Sequence, residues 1–501
     1  MEVKEVVTNY IKIDLERTLG DINRHVFGGF SEHLRRIIYG GIYDPDSPLA
    51  DEDGLRSDVR EALQRLNFSI VRYPGGNFVS GYRWMDGIGP RQERPSRHDL
   101  AWNVVDSNQF GTNEFIKFCR KLNIEPYLCV NCGDGDMREA ADWVEYCNGT
   151  GDSSLVKLRR EHGFDKPHKV KYWNIGNEVD GPWQIGYKTP QEYARAVTEF
   201  GKVMKRVDPD IELVASATCL WTGDVVERGQ LMLEQAGDLI DYMALHWYVG
   251  KAKNDFNAYM TLSELFEERL SGYEGLIRAI RLDKGIKHPI YITVDEWGIW
   301  FRGSPASPEP RLFYALEDAL VSAMNLNAFI RHAYSVRMAN ITSIMNLLSP
   351  ILTRPDGLVL QTIFYPFELY RRTCGQLALD VFWKGETFAG TFEDRHLTRE
   401  YTGVRILDVT ATLDESRKQL VVYIVSRSQK EAMETTISLA DGQFAGSVQA
   451  YVINGADIKT ENTFEKPNQV GTRKTTFEAS GKSLTYSFEP HSVTALVCAV
   501  S

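Results

Sequence analysis

The sequence predicts an α/β architecture, a (β/α)8 TIM barrel, followed by an antiparallel β-sandwich domain. Three observations carry that expectation. Eight short apolar runs between residues 25 and 348 are mostly separated by helix-like segments. No motif repeats along that stretch. Beyond about residue 375 the texture changes to alternating apolar and polar residues with turn residues between them. A doubly wound parallel sheet is the structural alternative for the first part.

The eight runs are HVFGGF (25–30), SIVRYPGG (69–76), EPYLCVN (125–131), KVKYWNIGNE (169–178), ELVASAT (212–218), YMALHWY (242–248), IYITVDEW (291–297) and TSIMNLL (342–348). One intervening helix is well marked. Thr189 reads as its N-cap, Pro190 as its first residue and Glu192 as the capping-box partner. Tyr193, Ala196, Val197, Phe200, Val203, Met204 and Val207 follow at helical spacing, and Asp208-Pro209 ends it. After residue 375, RILDVTATLD, QLVVYIVSRS, TTISLA, SVQAYVI and SLTYSFEPHSVTALVCAV read as sandwich strands. The opening stretch EVVTNYIKIDLER also reads as strand, and the barrel count is complete without it. The expected division is therefore residues 1–20 joining the C-terminal sandwich, 21–374 as the catalytic barrel and 375–501 as the sandwich.

Composition excludes several classes. Of 501 residues 43% are hydrophobic and 25% charged, so disorder is not the main state. The net charge of −11 argues against nucleic acid or an anionic membrane as partner and suits a neutral small substrate. Seven cysteines form no dense framework, and the opening MEVKEVVTNYIKIDLERT has no basic region followed by an apolar stretch. A cytoplasmic location is expected. The sequons at Asn67, Asn148 and Asn340 then read as chance matches. No apolar run is long enough to span a bilayer.

Some motifs fail on inspection. Gly481-Lys482-Ser483 resembles the end of a P-loop, but Thr476 stands where the first glycine is required. Cys129 and Cys132 form a CxxC, yet residues three apart on a strand face opposite sides. Asp134-Gly135-Asp136 lacks the remaining ligands of a calcium loop.

In a barrel, functional groups sit at the C-terminal ends of strands. Strand four ends in Trp173-Asn174-Ile175-Gly176-Asn177-Glu178, and strand seven in Thr293-Val294-Asp295-Glu296-Trp297. Each places a glutamate at the lip of the barrel. Two carboxylates facing one cavity are what glycoside cleavage requires: one protonated to give a proton to the leaving oxygen, one ionised to attack the anomeric carbon. A single strand-end glutamate is usually a hydrogen-bonded structural group or a surface charge; two on strands four and seven favour catalysis.

The motifs GFSEHLRRIIYGGIYD, VRYPGGNF, YRWMDGIGPRQERP, LAWNVVDSN, FGTNEF, YWNIGNE, LHWY, DEWGIW and QTIFYPF resemble those of the α-L-arabinofuranosidases of glycoside hydrolase family 51. The resemblance runs from about Gly28 to the last sandwich strand. It implies Glu178 as general acid/base and Glu296 as nucleophile. It implies Asn177 as the partner of the sugar 2-hydroxyl, and Arg72 and Tyr248 beside the nucleophile. It further implies Glu32, Asn77 and Gln361 on the furanose hydroxyls, and Trp102 and Trp300 as aromatic walls. Each of these also has a structural reading. Arg72 could be an interior ion-pair partner, Glu32 a partner of Arg35 or Arg36, Asn77 a turn residue and Gln361 a helix cap; Tyr248, Trp102 and Trp300 could be packing residues. His246, at the end of strand six, reads as a buried structural histidine.

The sequence departs from the commonest family pattern at Val249, Gly298 and Phe301, which bears on aglycone preference rather than on the reaction. The implied function is a retaining, exo-acting α-L-arabinofuranosidase on arabinan, arabinoxylan and derived oligosaccharides. No metal or organic cofactor is expected, because two carboxylates suffice. The resemblance implies a homo-oligomer, often a hexamer. The alternatives are the same barrel acting as a β-xylosidase or endoglucanase, and a non-catalytic carbohydrate-binding barrel.

Overall fold

Parallel strands covered by helices are buried on both faces and read as near-continuous apolar runs. In the computed structural model, which describes residues 9–221, 223–250, 255–300, 313–393 and 398–501, such runs close a barrel. Its strands, numbered one to eight here, are Gly28–Phe30, Ile70–Tyr73, Glu125–Val130, Tyr172–Ile175, Glu212–Thr218, Tyr242–Val249, Tyr291–Ile299 and Val336–Thr342. Strand eight pairs with strand one in parallel, which completes the circle. Helices follow the strands and pack outside. The one at Pro190–Val207 starts where the sequence says: the Thr189 hydroxyl accepts from the Glu192 N–H, and the Glu192 carboxylate accepts from the Thr189 N–H at 2.9 Å. Its buried face includes Tyr193, Val197, Phe200 and Met204, whereas Val207 is exposed.

One strand is displaced from its expected position. The eighth lies at Val336–Thr342, not at TSIMNLL (342–348). VRMANIT carries Arg337 and Asn340 and so has the weaker apolar signal. Asn340 is nevertheless fully buried, and its amide donates to the Gly29 carbonyl across the closure at 2.9 Å. Ile344 and Met345 of the expected run are buried in the following loop, which turns through positive φ at Asn346 and Leu348.

The second unit is one nine-stranded sheet. In spatial order its strands are Gly471–Gly481, Phe444–Asn454, Val493–Val500, Gln419–Ser426, Leu407–Leu413, Leu377–Lys384, Asn9–Asp21, Met433–Leu439 and Ser483–Phe488. Neighbours are antiparallel except Asn9–Asp21 and Met433–Leu439, which run parallel. The sheet folds over a core of its own, to which Ile11, Ile13, Leu379, Ile424, Phe488 and Leu496 contribute. The N-terminal strand is thus an interior strand of the C-terminal sheet.

The two units meet through a buried charge cluster. Arg331, at the end of the helix Leu316–Arg331, reaches Asp408 at 2.6 Å, and Arg427 reaches the other oxygen of Asp408 at 3.1 Å. The rings of Tyr370 and Tyr423 stack beside it with centroids 4.1 Å apart.

The rejected motifs have structural roles. Gly481 to Ser483 is the turn between two sheet strands. Cys129 and Cys132 are free thiols pushed up by burial, to about 12 and about 11. Asp136 caps the helix Met137–Asn148. Among the described residues, no helix is long and apolar enough to cross a membrane.

Candidate active site

The chain leaves strand four through Gly176, at φ +79°. A side chain there would bring its Cβ within 2.8 Å of the Cβ of Cys132, so glycine is required on two counts. Glu178 follows at φ +42°, a left-handed conformation uncommon for a residue with a Cβ. Strained residues of this kind cluster at functional sites. Glu178 Oε1 lies 2.9 Å from His246 Nδ1 at the end of strand six. Burial pushes the Glu178 carboxyl above the ordinary carboxylate range, with the His246 imidazole pulling the other way.

Strand seven carries a bulge. Thr293 pairs with Ala244 and Glu296 with His246, so three steps along strand seven match two along strand six. The shift recurs against strand eight, where Val294 and Trp297 pair with Ala339 and Ile341. Successive strand residues normally face opposite sides; a bulge relaxes that alternation. Asp295 and Glu296 accordingly both reach the barrel interior.

Both oxygens of Glu296 are held. Arg72 on strand two donates from Nη1 to Oε1 at 2.7 Å, and Tyr248 donates its hydroxyl to Oε2 at 2.7 Å. Arg72 also donates from Nη2 to Asn177 Oδ1 at 2.7 Å, which ties the ends of strands four and seven together. That bond fixes the Asn177 amide, whose buried NH2 has no partner among the described residues. One oxygen of Glu178, one of Glu296 and a ring nitrogen of His246 lie within 4.8 Å of one another.

Glu32, just beyond strand one, is buried against the loop after strand two. Its Oε1 accepts from the Phe78 N–H and from Trp102 Nε1, both at 3.0 Å, and it pairs with neither Arg35 nor Arg36. Gly75 and Gly76 make this approach possible: a Cβ at Gly75 would lie 2.5 Å from the Cβ of Glu32, and one at Gly76 2.8 Å from Oε2. Burial pushes the Glu32 carboxyl up to about 8. Asn77 opens the short helix Asn77–Gly81, half-buried beside Glu32, and its side chain makes no hydrogen bond among the described residues. Trp300 meets the Tyr248 ring edge-on, with centroids 5.4 Å apart.

Gln361 is placed differently. It is buried, its Oε1 accepts from the Tyr314 N–H at 2.9 Å and its Nε2 donates to the Ser349 carbonyl at 2.7 Å. Both ends of the amide therefore hold backbone, and no bond joins it to the carboxylate pair. Of the departures from the family pattern, Val249 is buried and Gly298 lies under the Thr342 carbonyl. Phe301 lies outside the described residues.

Sequence reasoning missed one group and underrated another. Asp295 is fully buried beneath the glutamates. It accepts from Asn174 Nδ2 at 3.0 Å and from the Tyr127 hydroxyl at 3.2 Å, and lies 3.3 Å from Arg72 Nε. A strict strand alternation turns Asp295 away from the pocket, and only the bulge brings it in. His246, read as structural, stands between Glu178 and Asp295, with its Nε2 3.1 Å from Asp295 Oδ1.

Comparison with known proteins gives the family. Residues 62–264 match the α-L-arabinofuranosidase 1 domain and residues 295–492 the α-L-arabinofuranosidase C-terminal domain. The chain is 37% identical to α-L-arabinofuranosidase C of Emericella nidulans, over 97% of this chain and 96% of that one. It is 34% identical to the intracellular exo-α-(1→5)-L-arabinofuranosidase 1 of Bacillus subtilis, over 95% and 96%. The crystal structure of the Thermotoga maritima α-L-arabinofuranosidase in complex with arabinose superposes with a TM-score of 0.90 at 36% identity, covering 98% of this chain and 100% of that one. The structure of the thermostable GH51 α-L-arabinofuranosidase from Thermotoga petrophila superposes with a TM-score of 0.89 at 35% identity, covering 98% of this chain and 100% of that one. With two glutamates ending strands four and seven of a closed barrel, and relatives of this identity along its whole length, the chain belongs to the α-L-arabinofuranosidase family, glycoside hydrolase family 51.

Proposed function

We propose that the protein is a retaining, exo-acting α-L-arabinofuranosidase that releases terminal non-reducing arabinofuranosyl groups from arabinan, arabinoxylan and their oligosaccharides. The observation that carries this reading is the pair of carboxylates in unlike environments. Glu296 has both oxygens held by donors, one of them the Arg72 guanidinium, which orients it and suits a carboxylate nucleophile. Glu178 has its carboxyl raised by burial, which favours a proton donor.

In the first step Glu296 attacks the anomeric carbon while Glu178 gives its proton to the departing glycosidic oxygen, leaving an arabinosyl ester on Glu296. In the second, ionised Glu178 takes a proton from water as the water oxygen attacks the same carbon, and Glu296 leaves as carboxylate. The Asn177 NH2, fixed by Arg72 and otherwise unpartnered, suits a sugar hydroxyl. Glu32, Asn77, Trp102 and Trp300 suit the furanose pocket wall. Gln361 suits the same wall by ordering the Ser349 and Tyr314 backbone.

The spacing of the carboxylate oxygens supports retention, for which carboxyl groups stand about 5–5.5 Å apart. An NMR time course on an aryl α-L-arabinofuranoside should show α-arabinofuranose as the first product. The β-anomer appearing first would contradict this reading.

The seven free thiols and the Bacillus relative named intracellular support action on imported oligosaccharides in the cytoplasm. Cell fractionation tests it. The resemblance to family 51 supports a homo-oligomer, a hexamer, which sedimentation equilibrium tests.

A further inference from the structure

Strand seven bulges by one residue between Thr293 and Glu296 against strand six and between Val294 and Trp297 against strand eight, and the extra residue delivers a second carboxylate to the barrel interior. That carboxylate, Asp295, is fully buried below Glu296 and cannot reach a substrate. Its surroundings consist of groups that hold other groups. One oxygen faces His246 Nε2 at 3.1 Å; the other lies 3.3 Å from Arg72 Nε and accepts from Asn174 and Tyr127. His246 turns its other nitrogen to Glu178 at 2.9 Å and stands 3.6 Å from Glu296. Arg72 turns its other nitrogens to Glu296 and Asn177.

Two chains of contact thus start at Asp295: one through His246 to the acid, one through Arg72 to the nucleophile. We propose that Asp295 is a positioning residue for both catalytic glutamates, holding His246 as a doubly protonated imidazolium against Glu178 and orienting the Arg72 guanidinium against Glu296. This rests on the two-glutamate reading above.

Charge balance supports it. Asp295 and Glu296 are two buried carboxylates facing one obligate cation, Arg72. Burial alone would strip the His246 proton, but Glu296 and Asp295 outweigh it and raise the imidazole above its ordinary value. The other titratable groups facing this cluster are Glu32 beside strand one, Cys129 and Tyr127 on strand three, Tyr248 on strand six, Cys219 after strand five and Asp180 beyond Glu178. None of these described groups is a cation, so among them the imidazolium balances the second carboxylate. With a proton on each ring nitrogen, Nδ1–H donates to Glu178 Oε1, which leaves Oε2 for the leaving group, and Nε2 faces Asp295 Oδ1 as an ion pair at 3.1 Å without hydrogen-bond alignment. The imidazolium persists through both steps while Glu178 gives up and regains its proton.

The test is 15N NMR of the histidine-labelled full chain, with His246→Gln used to assign the signal, alongside kinetics of Asp295→Asn. In the wild type, His246 should remain doubly protonated as pH rises well past the ordinary value near 6.5. In Asp295→Asn the same signal should titrate at lower pH than in the wild type. Its kcat on an arabino-oligosaccharide should fall on the order of 100-fold with KM nearly unchanged, as expected when a reacting group is misplaced. Its kcat–pH profile should gain an ionisation that the wild type lacks. A wild-type His246 that titrates near 6.5 overturns the proposal, and this holds even if Asp295→Asn fails to fold. A folded Asp295→Asn with unchanged imidazole signals and an unchanged pH profile overturns it as well. Failure of the wild type to cleave an aryl arabinofuranoside would instead count against the function, leaving the imidazole measurement to stand by itself.

Discussion

Glu178 and Glu296 are the same side chain a few ångströms apart, and their partners differ. Glu296 is gripped at both oxygens by Arg72 and Tyr248, whereas Glu178 has one bond, to His246, and an oxygen left for a substrate. Glu32 is a third carboxyl with a different fate. Burial is the largest influence on it and pushes it to about 8, with the Phe78 N–H opposing and the Glu296 charge adding. Its folded value lies above its unfolded value of about 4.5, so its contribution to stability is full below about 4.5 and is lost as pH rises through about 8. Glu32→Gln should flatten the fall in melting temperature between those pH values; a fall as steep as the wild type's would show that Glu32 is ionised in the fold. Asn77→Ala should lower kcat as well as raise KM, because contacts to remote hydroxyls orient the reacting centre. Wild-type kinetics would make Asn77 a turn residue only. At this scale the two glutamates were legible, since their position at strand ends follows from the apolar runs that precede them. Asp295 was not, because its direction depends on a bulge with no composition of its own, and the two ends of Gln361 find backbone partners distant in sequence.

The elements differ in how openly the sequence declares them. The helix Pro190–Val207 has its cap, its first-turn proline and its apolar stripe within one short stretch. Its boundaries could therefore be read directly. Thr189→Ala removes the acceptor for the Glu192 N–H and should cost about 1 kcal/mol, measured by urea unfolding. No change in midpoint would mean that tertiary packing alone sets this helix start. Barrel strand eight shows the opposite case. Arg337 and Asn340 dilute its apolar pattern, and the buried loop residues Ile344 and Met345 mimic a strand just after it. Periodicity reports burial, and burial is not confined to strands; the parallel pairing of Asn340–Thr342 with Gly28–Phe30 and the bond from Asn340 to Gly29 identify the true partner.

At the scale of the molecule, the chain's two ends and the barrel are bound together. The strand Asn9–Asp21 lies between Leu377–Lys384 and Met433–Leu439, so residues from the start of the chain complete a sheet made from its end. The alternation in YIKIDLE revealed a strand, and the completed barrel count pointed it to the sandwich, although no local signal gives its register. The junction with the barrel was invisible in the sequence. Arg331, Asp408 and Arg427 come from distant segments, and only the fold makes them a buried cluster. Asp408→Ala removes the partner that Arg331 and Arg427 share but leaves Glu267 on the first and Glu264 on the second, and should destabilise the chain by about 1–3 kcal/mol. A loss under about 1 kcal/mol, the range of exposed ion pairs, would show that water reaches this junction.

The assignment of acid and nucleophile is tested most directly by azide with the two alanine variants. Glu178→Ala cannot protonate a basic leaving oxygen, so it should be nearly inactive on natural oligosaccharides. It should still release an activated aryl group in a burst, because that group departs without help. Azide needs no general base, so it should speed the slow second step and yield the α-arabinofuranosyl azide, the product of two inversions. Glu296→Ala should be inactive on every substrate, and any azide product it forms should be β, from one inversion. The opposite pairing of anomers, or a Glu178→Ala variant equally inactive on activated and natural substrates, would contradict the assignment.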